Sequence, residues 1–591
     1  MAVHEKLDLA SYSRALSADA SAPERLLRET FQRAEAAPKP VWIHLRKLDD
    51  LLADLRDATA RKAAGEDLPL FGVPYALKDN IDVAGLPTTV ACPAFAYVPK
   101  ESAPVVERLR RAGAILLGKT NLDQFASGLV GVRSPYGIVE NPVDPRYVSG
   151  GSSSGSAVSV STGIVPFSIG TDTAGSGRVP AAFQGIVGLK PTRGLISARG
   201  LVPACRTIDC ISVFATNAGD ARMVLGICSA PDPEDPFSRD ASSVRRPRFA
   251  RPLRLGVPKE SQLEFFGDAE YARLFSAAVK RLEALGAVKV EIDLAPFRAA
   301  ADLLYGGPWV AERLSPTLEL LERDPSAFIE PVRTILENAR KLTALDAYEG
   351  LYALADARRR TMPEWEKMDV LFLPTAPTIY PIAEILADPI AKNARLGFYT
   401  QFANLLDLTA VAVPAGERAD GIPFGVSFIG PAFSDSELLA LAERFGESSA
   451  RDLGGLDVPR AGDYLVAVAG AHLSGMPLNH QLTSRRARLV KTGKTAPGYK
   501  LYALAGTVPP KPGLVFDPSF AGTGIEIEVW SLDAAAFGAF VDEVPPPLAI
   551  GTVTLEDGST VNGFVCEPAA LRGATDVTSH GGWRAYRASL G

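Results

Sequence analysis

Two loops rich in glycine and serine carry residues suited to chemistry. The first spans residues 149–156 (SGGSSSGS) and the second spans residues 170–178 (GTDTAGSGR). Loops of this kind hold phosphate groups when they precede a helix, but neither ends in the Gly-Lys-Ser/Thr of a nucleotide-binding loop. A Gly-Lys-Thr does occur at residues 493–495, where Arg488 replaces the required glycine. The sequence therefore argues against a nucleotide site.

Such loops have another use, which is to stabilise an oxyanion with backbone N–H groups beside a serine nucleophile. A serine needs a base, and histidine is absent from residues 45–471, since the five histidines are His4, His44, His472, His480 and His580. A buried lysine can act instead, because desolvation disfavours the ammonium form and lowers the lysine pKa. Lys78 follows the apolar run 73–77, where burial is expected.

Lys78, Ser152 and Ser176 resemble the amidase signature family in residue type, order and spacing. Ser152 follows Lys78 by 74 residues, and Ser176 follows 24 residues later. The similarity continues through residues 188–192 (GLKPT) and 421–426 (GIPFGV), and covers roughly residues 20–445. Taken singly, a lysine is usually a solvated charge and a loop serine usually forms a turn. The joint order and spacing favour the catalytic interpretation.

The resemblance implies a Ser-cisSer-Lys triad. Ser176 would attack an amide carbonyl, Ser152 would relay the proton beside a cis peptide bond, and Lys78 would be the final base. The resemblance also implies an oxyanion hole formed by the N–H groups of Thr173, Ala174, Gly175 and Ser176. No cofactor and no metal are expected for this mechanism.

Substrate selection is expected from residues 305–313 (YGGPWVAER). Pro308 can begin a helix after two glycines and so orient Arg313. An arginine near the triad can hold a carboxylate through two N–H donors, and Tyr305 can add a hydroxyl group. The alternative is that Arg313 pairs with Glu312 or with another acidic surface residue.

This segment, with residues 204–215 and 404–416, resembles the allophanate hydrolase branch of the family. The resemblance implies that the substrate is allophanate, which is urea carrying a carboxylate on one nitrogen. Tyr305, Arg313 and Gly151 would bind it while Ser176 attacks the terminal carboxamide and releases ammonia. The alternatives are an amidase of other small amides, and the glutaminase subunit of a tRNA-dependent amidotransferase, which shares the triad but lacks this segment.

The C-terminal residues also resemble that branch, above all residues 470–482 (GAHLSGMPLNHQL). The resemblance implies decarboxylation of the N-carboxycarbamate that remains after ammonia departs. His472, Asn479 and His480 are the candidate residues, since an imidazole with a pKa near 6.5 suits proton delivery. The alternative is that these histidines are hydrogen-bonded structural groups.

The elements that must position these residues follow from hydrophobic patterning. Short apolar runs bounded by Gly and Pro, at residues 71–81, 114–120, 164–171, 253–259 and 369–377, predict a largely buried sheet, and residues 425–430 predict one of its last strands. After Tyr464 the pattern alternates, with a hairpin signal at Asp557-Gly558. We predict an α/β amidase signature domain, a mixed β-sheet flanked by helices, over 1–450. A linker (451–464) and a smaller β-rich α+β domain (465–591) follow.

Composition limits the function classes. The chain has 591 residues with 62 basic and 68 acidic side chains, a net charge of -6 that argues against nucleic-acid binding. The five cysteines lack paired C-x-x-C spacing, which favours a reduced, cytoplasmic protein without a metal site. No membrane segment is expected. The resemblance implies a homodimer, and the absence of a biotin-attachment segment implies that another enzyme supplies allophanate.

Overall fold

The computed structural model of the protein describes residues 7–241, 244, 249, 252–447, 453, 463–485 and 487–590. The chain divides into two compact units, Met1–Leu453 and Gly454–Gly591. Most of the predicted linker, residues 451, 452 and 454–462, lies outside the described residues. Its last residue, Tyr464, begins the first strand of the second unit.

A large mixed sheet organises the first unit. Its strands are β1 (Trp42–Leu45), β2 (Pro74–Lys78), β3 (Ile115–Thr120), β4 (Phe167–Asp172), β5 (Val187–Lys190), β6 (Cys210–Ala215), β7 (Arg254–Pro258), β8 (Val288–Ile292), β9 (Val370–Pro374), β10 (Leu408–Glu417) and β11 (Pro423–Pro431). Within the described residues these eleven strands follow the order β1-β3-β2-β4-β6-β5-β10-β11-β9-β7-β8. Each predicted apolar run overlaps one of these strands, so the predicted α/β fold is confirmed.

Helices cover this sheet. They are α1 (Leu9–Leu16), α2 (Ala22–Ala36), α3 (Leu48–Ala63), α4 (Pro104–Arg111), α5 (Ser154–Ser161), α6 (Val179–Phe183), α7 (Ala218–Cys228), α8 (Ala269–Ala284), α9 (Ala295–Gly306), α10 (Trp309–Glu312), α11 (Leu314–Arg323), α12 (Val332–Ala339), α13 (Ala344–Lys367), α14 (Ile382–Ala387), α15 (Ala391–Leu396), α16 (Phe402–Leu405) and α17 (Asp435–Gly446). In α2 and α3, apolar residues at helical spacing, such as Leu27, Leu51 and Leu55, pack with Ala76 and Leu117 of the sheet. Burying such side chains contributes about 1.5–3 kcal/mol each.

Two neighbouring strands determine where the candidate site lies. β2 and β4 are adjacent and parallel, with Tyr75 opposite Phe167 and Leu77 opposite Ile169. Because the carboxyl ends of parallel strands meet at one edge of a sheet, Lys78 at the end of β2 lies beside the loop that follows β4. Both strands are buried along their whole length, so the lysine side chain leaves the sheet inside the protein.

The second unit is β-rich. Its elements are β12 (Tyr464–Val468), α18 (Asn479–Thr483), β13 (Arg488–Lys494), β14 (Tyr499–Ala503), β15 (Pro512–Phe516), β16 (Glu526–Leu532), α19 (Ala534–Val541), β17 (Leu548–Thr554), β18 (Thr560–Cys566), β19 (Thr575–Asp576) and α20 (Trp583–Ala588). The predicted hairpin at Asp557-Gly558 is confirmed, because β17 and β18 pair antiparallel around it. Among the helices described in both units, none has the length and apolar character needed to cross a bilayer.

Candidate active site

Lys78, Ser152 and Ser176 form a continuous chain of hydrogen bonds. Lys78 Nζ donates to Ser152 Oγ over 2.8 Å, and Ser152 Oγ donates to Ser176 Oγ over 3.0 Å. All three side chains are buried. When the lysine is a neutral amine, the proton of Ser176 can reach it through Ser152 without entering solvent. The structure thus brings together the three residues that were predicted to be catalytic from the sequence.

The environment of Lys78 favours its neutral form. The side chain is fully buried, and its Nζ also donates to Thr171 Oγ1 over 2.8 Å. Burial lowers the pKa of Lys78 to about 7, and the nearby carboxylates of Asp123, Asp209 and Asp172 oppose that shift only in part. At neutral pH a substantial fraction of this lysine is therefore able to accept a proton.

The loop that carries Ser152 fits closely against a turn organised by Asp123. The Gly151–Ser152 peptide bond is cis. A Cβ at Gly151 would collide with Asp123 Oδ2 and with the backbone N of Gly131. The same carboxylate oxygen accepts hydrogen bonds from the N–H groups of Val130 and Gly131, each over 3.1 Å. Only glycine therefore fits at position 151 without moving the serine beside it.

A buried ion pair holds the loop that carries Ser176. Arg178 Nε lies 2.8 Å from Asp172 Oδ2, and both side chains are fully buried. Asp172 Oδ1 also accepts the N–H of Gly175 over 3.0 Å. The family resemblance implied that this N–H would face a substrate oxygen, but in the structure it is bonded to Asp172 instead. The N–H groups of Thr173, Ala174 and Ser176 donate to no acceptor among the described residues.

Asp209 is a buried acid that was not among the residues predicted from the sequence. Thr173 Oγ1 donates to its Oδ1, while its Oδ2 accepts the N–H groups of Ala204 and Cys205 over 2.8 and 3.1 Å. Burial raises the pKa of Asp209 to about 6 despite these hydrogen bonds. Cys205 Sγ in turn lies 3.3 Å from the carbonyl oxygen of Trp309. Asp209 therefore ties the loop after β4 to the segment that begins at Tyr305.

Arg313 lies buried beside Tyr305, with its guanidinium carbon 5.7 Å from the centre of the tyrosine ring. Its Nη1 donates to Ser127 Oγ over 2.8 Å, and its buried Nε has no hydrogen-bond partner among the described residues. The alternative pairing with Glu312 does not occur, because that carboxylate accepts from Thr207 N over 2.9 Å. Pro308 precedes α10 as expected, and Tyr305 packs in one cluster with Ala174 of the catalytic loop.

Arg133 is a second buried arginine at this place, and it was not among the residues predicted from the sequence. Its Nη1 donates to Ser127 O over 2.7 Å, its Nη2 donates to Pro389 O, and its Nε has no hydrogen-bond partner among the described residues. Burial lowers the pKa of Arg133, and Arg313 adds to the lowering. Two guanidinium groups thus flank Ser127 without a carboxylate partner in the described chain. Arg133 is a single arginine in residues 131–135 (GVRSP), and no pattern in the sequence there indicates that it is buried beside Arg313.

A cavity of about 250 Å³ in the second unit contains His472. The imidazole stacks on Phe564 with ring centres 5.0 Å apart, and its Nε2 lies 2.7 Å from Gln481 Oε1. Burial lowers the pKa of His472, so the ring is neutral at pH 7. Lys511 also lines the cavity and contributes to the lowering. Gln481 and Lys511 were not among the candidates from the sequence.

Asn479 and His480 do not line this cavity. Asn479 Nδ2 donates to the carbonyl oxygen of His472 over 2.8 Å, so it holds the backbone of that residue. His480 is exposed on the short helix α18, and its Nδ1 lies 2.9 Å from Pro477 O. The expectation that all three residues share one site is therefore corrected to His472 with a supporting Asn479.

Comparison with known proteins shows the family to which the chain belongs. The family model described as amidase matches residues 25–439. The chain belongs to the amidase family. The model described as the allophanate hydrolase C-terminal domain matches residues 464–588, so this amidase carries the second domain found in that branch. Among the described residues no group of three or more His, Cys, Asp and Glu side chains could hold a metal ion.

Individual relatives agree with both assignments. A solved structure of Kluyveromyces lactis allophanate hydrolase is 41% identical, with a TM-score of 0.85 over 99% of each chain. Urea amidolyase from Saccharomyces cerevisiae is 43% identical over 96% of this chain but only 32% of its own length. A glutamyl-tRNA(Gln) amidotransferase polypeptide from Carboxydothermus hydrogenoformans is 35% identical over 71% of this chain and 93% of its own length. The chain spans about a third of the length of the urea amidolyases that it matches.

Proposed function

We propose that this amidohydrolase hydrolyses allophanate to ammonia and carbon dioxide. One observation carries the choice of substrate: Arg313 is buried next to the catalytic loop, its Nε has no hydrogen-bond partner, and no carboxylate among the described residues forms a direct ion pair with it. A buried cation without a counterion is costly, and a bound anion removes that cost. Allophanate is small and anionic, and its carboxylate can accept two N–H groups from one guanidinium.

The hydrogen-bond chain supplies the amide chemistry. Ser176 Oγ attacks the terminal carbonyl carbon of allophanate as its proton passes to Ser152, whose own proton passes to Lys78. The negative charge on the carbonyl oxygen is held by the free N–H groups of Thr173, Ala174 and Ser176. The lysine proton then returns through Ser152 to the departing nitrogen, which leaves as ammonia. Water attacks the resulting ester by the same relay and frees Ser176.

Arg313 and Tyr305 would hold the substrate carboxylate, and the backbone of Gly151, next to Ser152, would contact the substrate as well. Urea lacks the carboxylate and would leave the guanidinium unpaired, so the site discriminates against it. A site built to bind a polar group of its substrate commonly lowers kcat/KM by about 10⁴-fold or more for an analogue that lacks this group.

The second unit would complete the reaction. The first step leaves N-carboxycarbamate, which carries two carboxylates. Loss of carbon dioxide from it consumes one proton and leaves carbamate, which takes up a further proton and decomposes to ammonia and a second carbon dioxide. The cavity around His472 is small enough for such a molecule, and Lys511 provides a cation at its wall. We assign the decarboxylation to this cavity.

Two partners accompany this proposal. Allophanate is urea carboxylated on nitrogen, so an enzyme that carboxylates urea, or one that releases allophanate from a nitrogen heterocycle, must supply it. The chain itself is proposed to form a homodimer. Neither partner changes the chemistry of the site, because every proposed catalytic residue comes from one chain.

Ammonia release by the purified chain tests the proposal. We expect release from allophanate, slower release from malonamate, and none from urea. The assignment would be overturned in favour of a tRNA-dependent amidotransferase if glutamine were the only substrate that released ammonia, and if it did so only after other proteins were added. A Ser176→Ala variant is the control for background decomposition of allophanate.

A further inference from the structure

One loop contacts both halves of the candidate site. This bridging loop (residues 204–209) precedes β6 and joins the catalytic loop (170–178) to the substrate segment (305–313). Its contact with the catalytic loop is made by Asp209, whose Oδ1 accepts a hydrogen bond from Thr173 Oγ1. Thr173 also carries one of the N–H groups proposed to hold the oxyanion. The bridging loop is therefore attached close to the reacting carbonyl group.

Two further contacts attach the bridging loop to the substrate segment. Cys205 Sγ lies 3.3 Å from the carbonyl oxygen of Trp309, and both side chains are buried. Thr207 donates twice to the carboxylate of Glu312, from its N–H over 2.9 Å and from its hydroxyl group. Trp309 and Glu312 belong to the short helix α10, which Arg313 directly follows. The bridging loop therefore holds the helix from which the arginine extends.

Asp209 gives the bridging loop its shape. Its Oδ2 accepts the N–H groups of Ala204 and Cys205, and its own N–H donates to the carbonyl oxygen of Cys205 over 2.9 Å. Because the residue is only 5% exposed, loss of its carboxylate would leave these two N–H groups and the Thr173 hydroxyl buried without an acceptor. Buried donors without partners are costly. One side chain thus closes the loop and connects it to the catalytic loop.

Helix α16 makes the attachment to the catalytic loop rigid. Asn404 Nδ2 donates to the carbonyl oxygens of Asp172 and Ile208, over 2.8 and 3.1 Å, so one amide group holds both loops. Close-packed interiors resist small displacements. Such a cluster surrounds these contacts, and it is formed by Ala174, Cys205, Ile208, Leu304, Trp309 and Leu405. The distance between the buried arginine and the nucleophile is therefore set by packing through the bridging loop.

A fixed distance between an anion site and a nucleophile selects substrates by their length. In allophanate a single nitrogen atom separates the carboxylate carbon from the carbonyl carbon that the serine attacks. Malonamate has a single carbon atom in that place, oxamate has no intervening atom, and succinamate has two. A displacement of the reacting carbonyl by about 1 Å lowers the rate about 100-fold, and one added methylene group causes a displacement of roughly that size.

We propose that the bridging loop sets the spacing between Arg313 and Ser176 and thereby restricts the site to amides with one atom between the carboxylate and the scissile carbonyl group. Asp209 is a positioning residue in this arrangement, because donors of the protein itself occupy both of its oxygens. The inference rests on the proposed function, in which Arg313 holds the substrate carboxylate. It adds the structural cause of selection by length.

Ammonia release from oxamate, malonamate and succinamate by the full chain measures this selection. We expect the wild type to prefer malonamate to each of the other two by about 100-fold or more in kcat/KM, and Asp209→Ala to lower that preference at least about tenfold. Acylation of Ser176 by a small uncharged probe should fall by less than malonamate hydrolysis. Asp209→Asn should keep the preference, because its Oδ1 can accept both N–H groups while its Nδ2 donates to Thr173 Oγ1.

Glu312→Ala tests the other attachment and leaves the buried carboxylate in place. It removes both hydrogen bonds from Thr207, which is exposed, so the fold should persist and the preference for malonamate should again fall. Glu319→Ala is the matched control, since the Glu319 side chain on α11 is 92% exposed and pairs only along its own helix with Arg323. It should keep the wild-type preference. Thermal melts show which variants are folded, and if Asp209→Ala is not, the result for Glu312→Ala decides.

The outcomes separate this inference from the proposed function. Equal losses for malonamate, succinamate and the uncharged probe in the folded variants would overturn the inference, because the bridging loop would then only support the fold. A wild type without any preference by length would overturn it as well. Selection by length among these amides without hydrolysis of allophanate would overturn the proposed substrate but not the inference.

Discussion

Three buried cations define the candidate site at the scale of single residues. Lys78, Arg133 and Arg313 are almost completely inaccessible, and none has a carboxylate within ion-pair distance among the described residues. Lys119 shows the contrast, because it is equally buried but lies 3.0 Å from Asp79. An unpaired buried lysine loses its proton readily, whereas an arginine keeps its charge and needs an anion. Lys78 is therefore suited to act as a base, and Arg133 and Arg313 are suited to bind a substrate carboxylate.

The pKa of Lys78 predicts the acid limb of the pH profile. Since burial lowers this pKa to about 7, the neutral amine dominates above pH 7 and falls tenfold for each pH unit below it. We expect log kcat/KM for allophanate to follow the same slope, with a midpoint near pH 7. A profile that stays flat from pH 5.5 to pH 8, with circular dichroism showing an intact fold, would contradict this role.

Replacing Arg313 by Gln should raise KM for allophanate by about 10–100-fold, because a charged hydrogen bond to the substrate is lost. Acylation of Ser176 by a small uncharged probe should stay within a few-fold of the wild type, since the relay is untouched. Steady-state kinetics and probe labelling measure the two effects. If the Arg313→Gln variant had the KM of the wild type, Arg313 would be excluded as the ligand of the substrate carboxylate.

Arg133→Gln should also raise KM, but by less than Arg313→Gln. Its two Nη groups bond to backbone carbonyls, so its contribution to the substrate comes through charge and through the position of Ser127. The double variant tests the coupling, since two residues that hold one anion give effects that do not add. Strict additivity in KM would indicate that Arg133 only supports the fold.

At the scale of elements, the site depends on two loops pressed together at one sheet edge. Parallel pairing of β2 and β4 brings Lys78 to the second loop, and Asp123 holds the turn against which the first loop packs. Gly151 is the point of closest approach. Regular secondary structure sets the edge, and close backbone contacts set the serine positions.

Gly151→Ala should therefore abolish measurable hydrolysis, because the added Cβ displaces the backbone next to Ser152. Gly226→Ala is the matched control: Gly226 lies in α7 with open space around it, and an alanine there should stabilise the helix by about 0.5–1 kcal/mol. Activity assays and thermal melts compare the two. An active Gly151→Ala enzyme would show that this contact does not position Ser152.

For the whole molecule, each of the two units holds its own group of buried or half-buried functional side chains, and the two groups differ in chemistry. The first unit supplies the serine relay, and the second supplies a half-buried His472 with a lowered pKa, in a cavity that Lys511 also lines. His472→Asn should delay carbon dioxide release relative to the first ammonia released. Parallel measurement of both products checks this, and identical time courses for variant and wild type would remove His472 from the reaction.

Much of this arrangement could be predicted before the fold was known. Apolar runs indicated the strands around Lys78, because a strand buried on both faces needs such a run. The same reasoning could not find Arg133 or Asp209, since a single charged residue in a loop carries no periodic signal. Nor could it show that Asp172 occupies the N–H of Gly175, because that contact depends on the turn between them.

The sequence by itself determined the residue types and their order: a lysine after an apolar strand, two serines in glycine-rich loops, and a second β-rich region with three of the five histidines. These are local properties, so they can be read along the chain. Only the tertiary structure decided which charges lose their solvent, which histidine faces a cavity, and which loop contacts both halves of the candidate site. Those properties depend on neighbours distant in the chain, and burial by such neighbours is what lowers the pKa of Lys78 and leaves Arg313 in need of an anion.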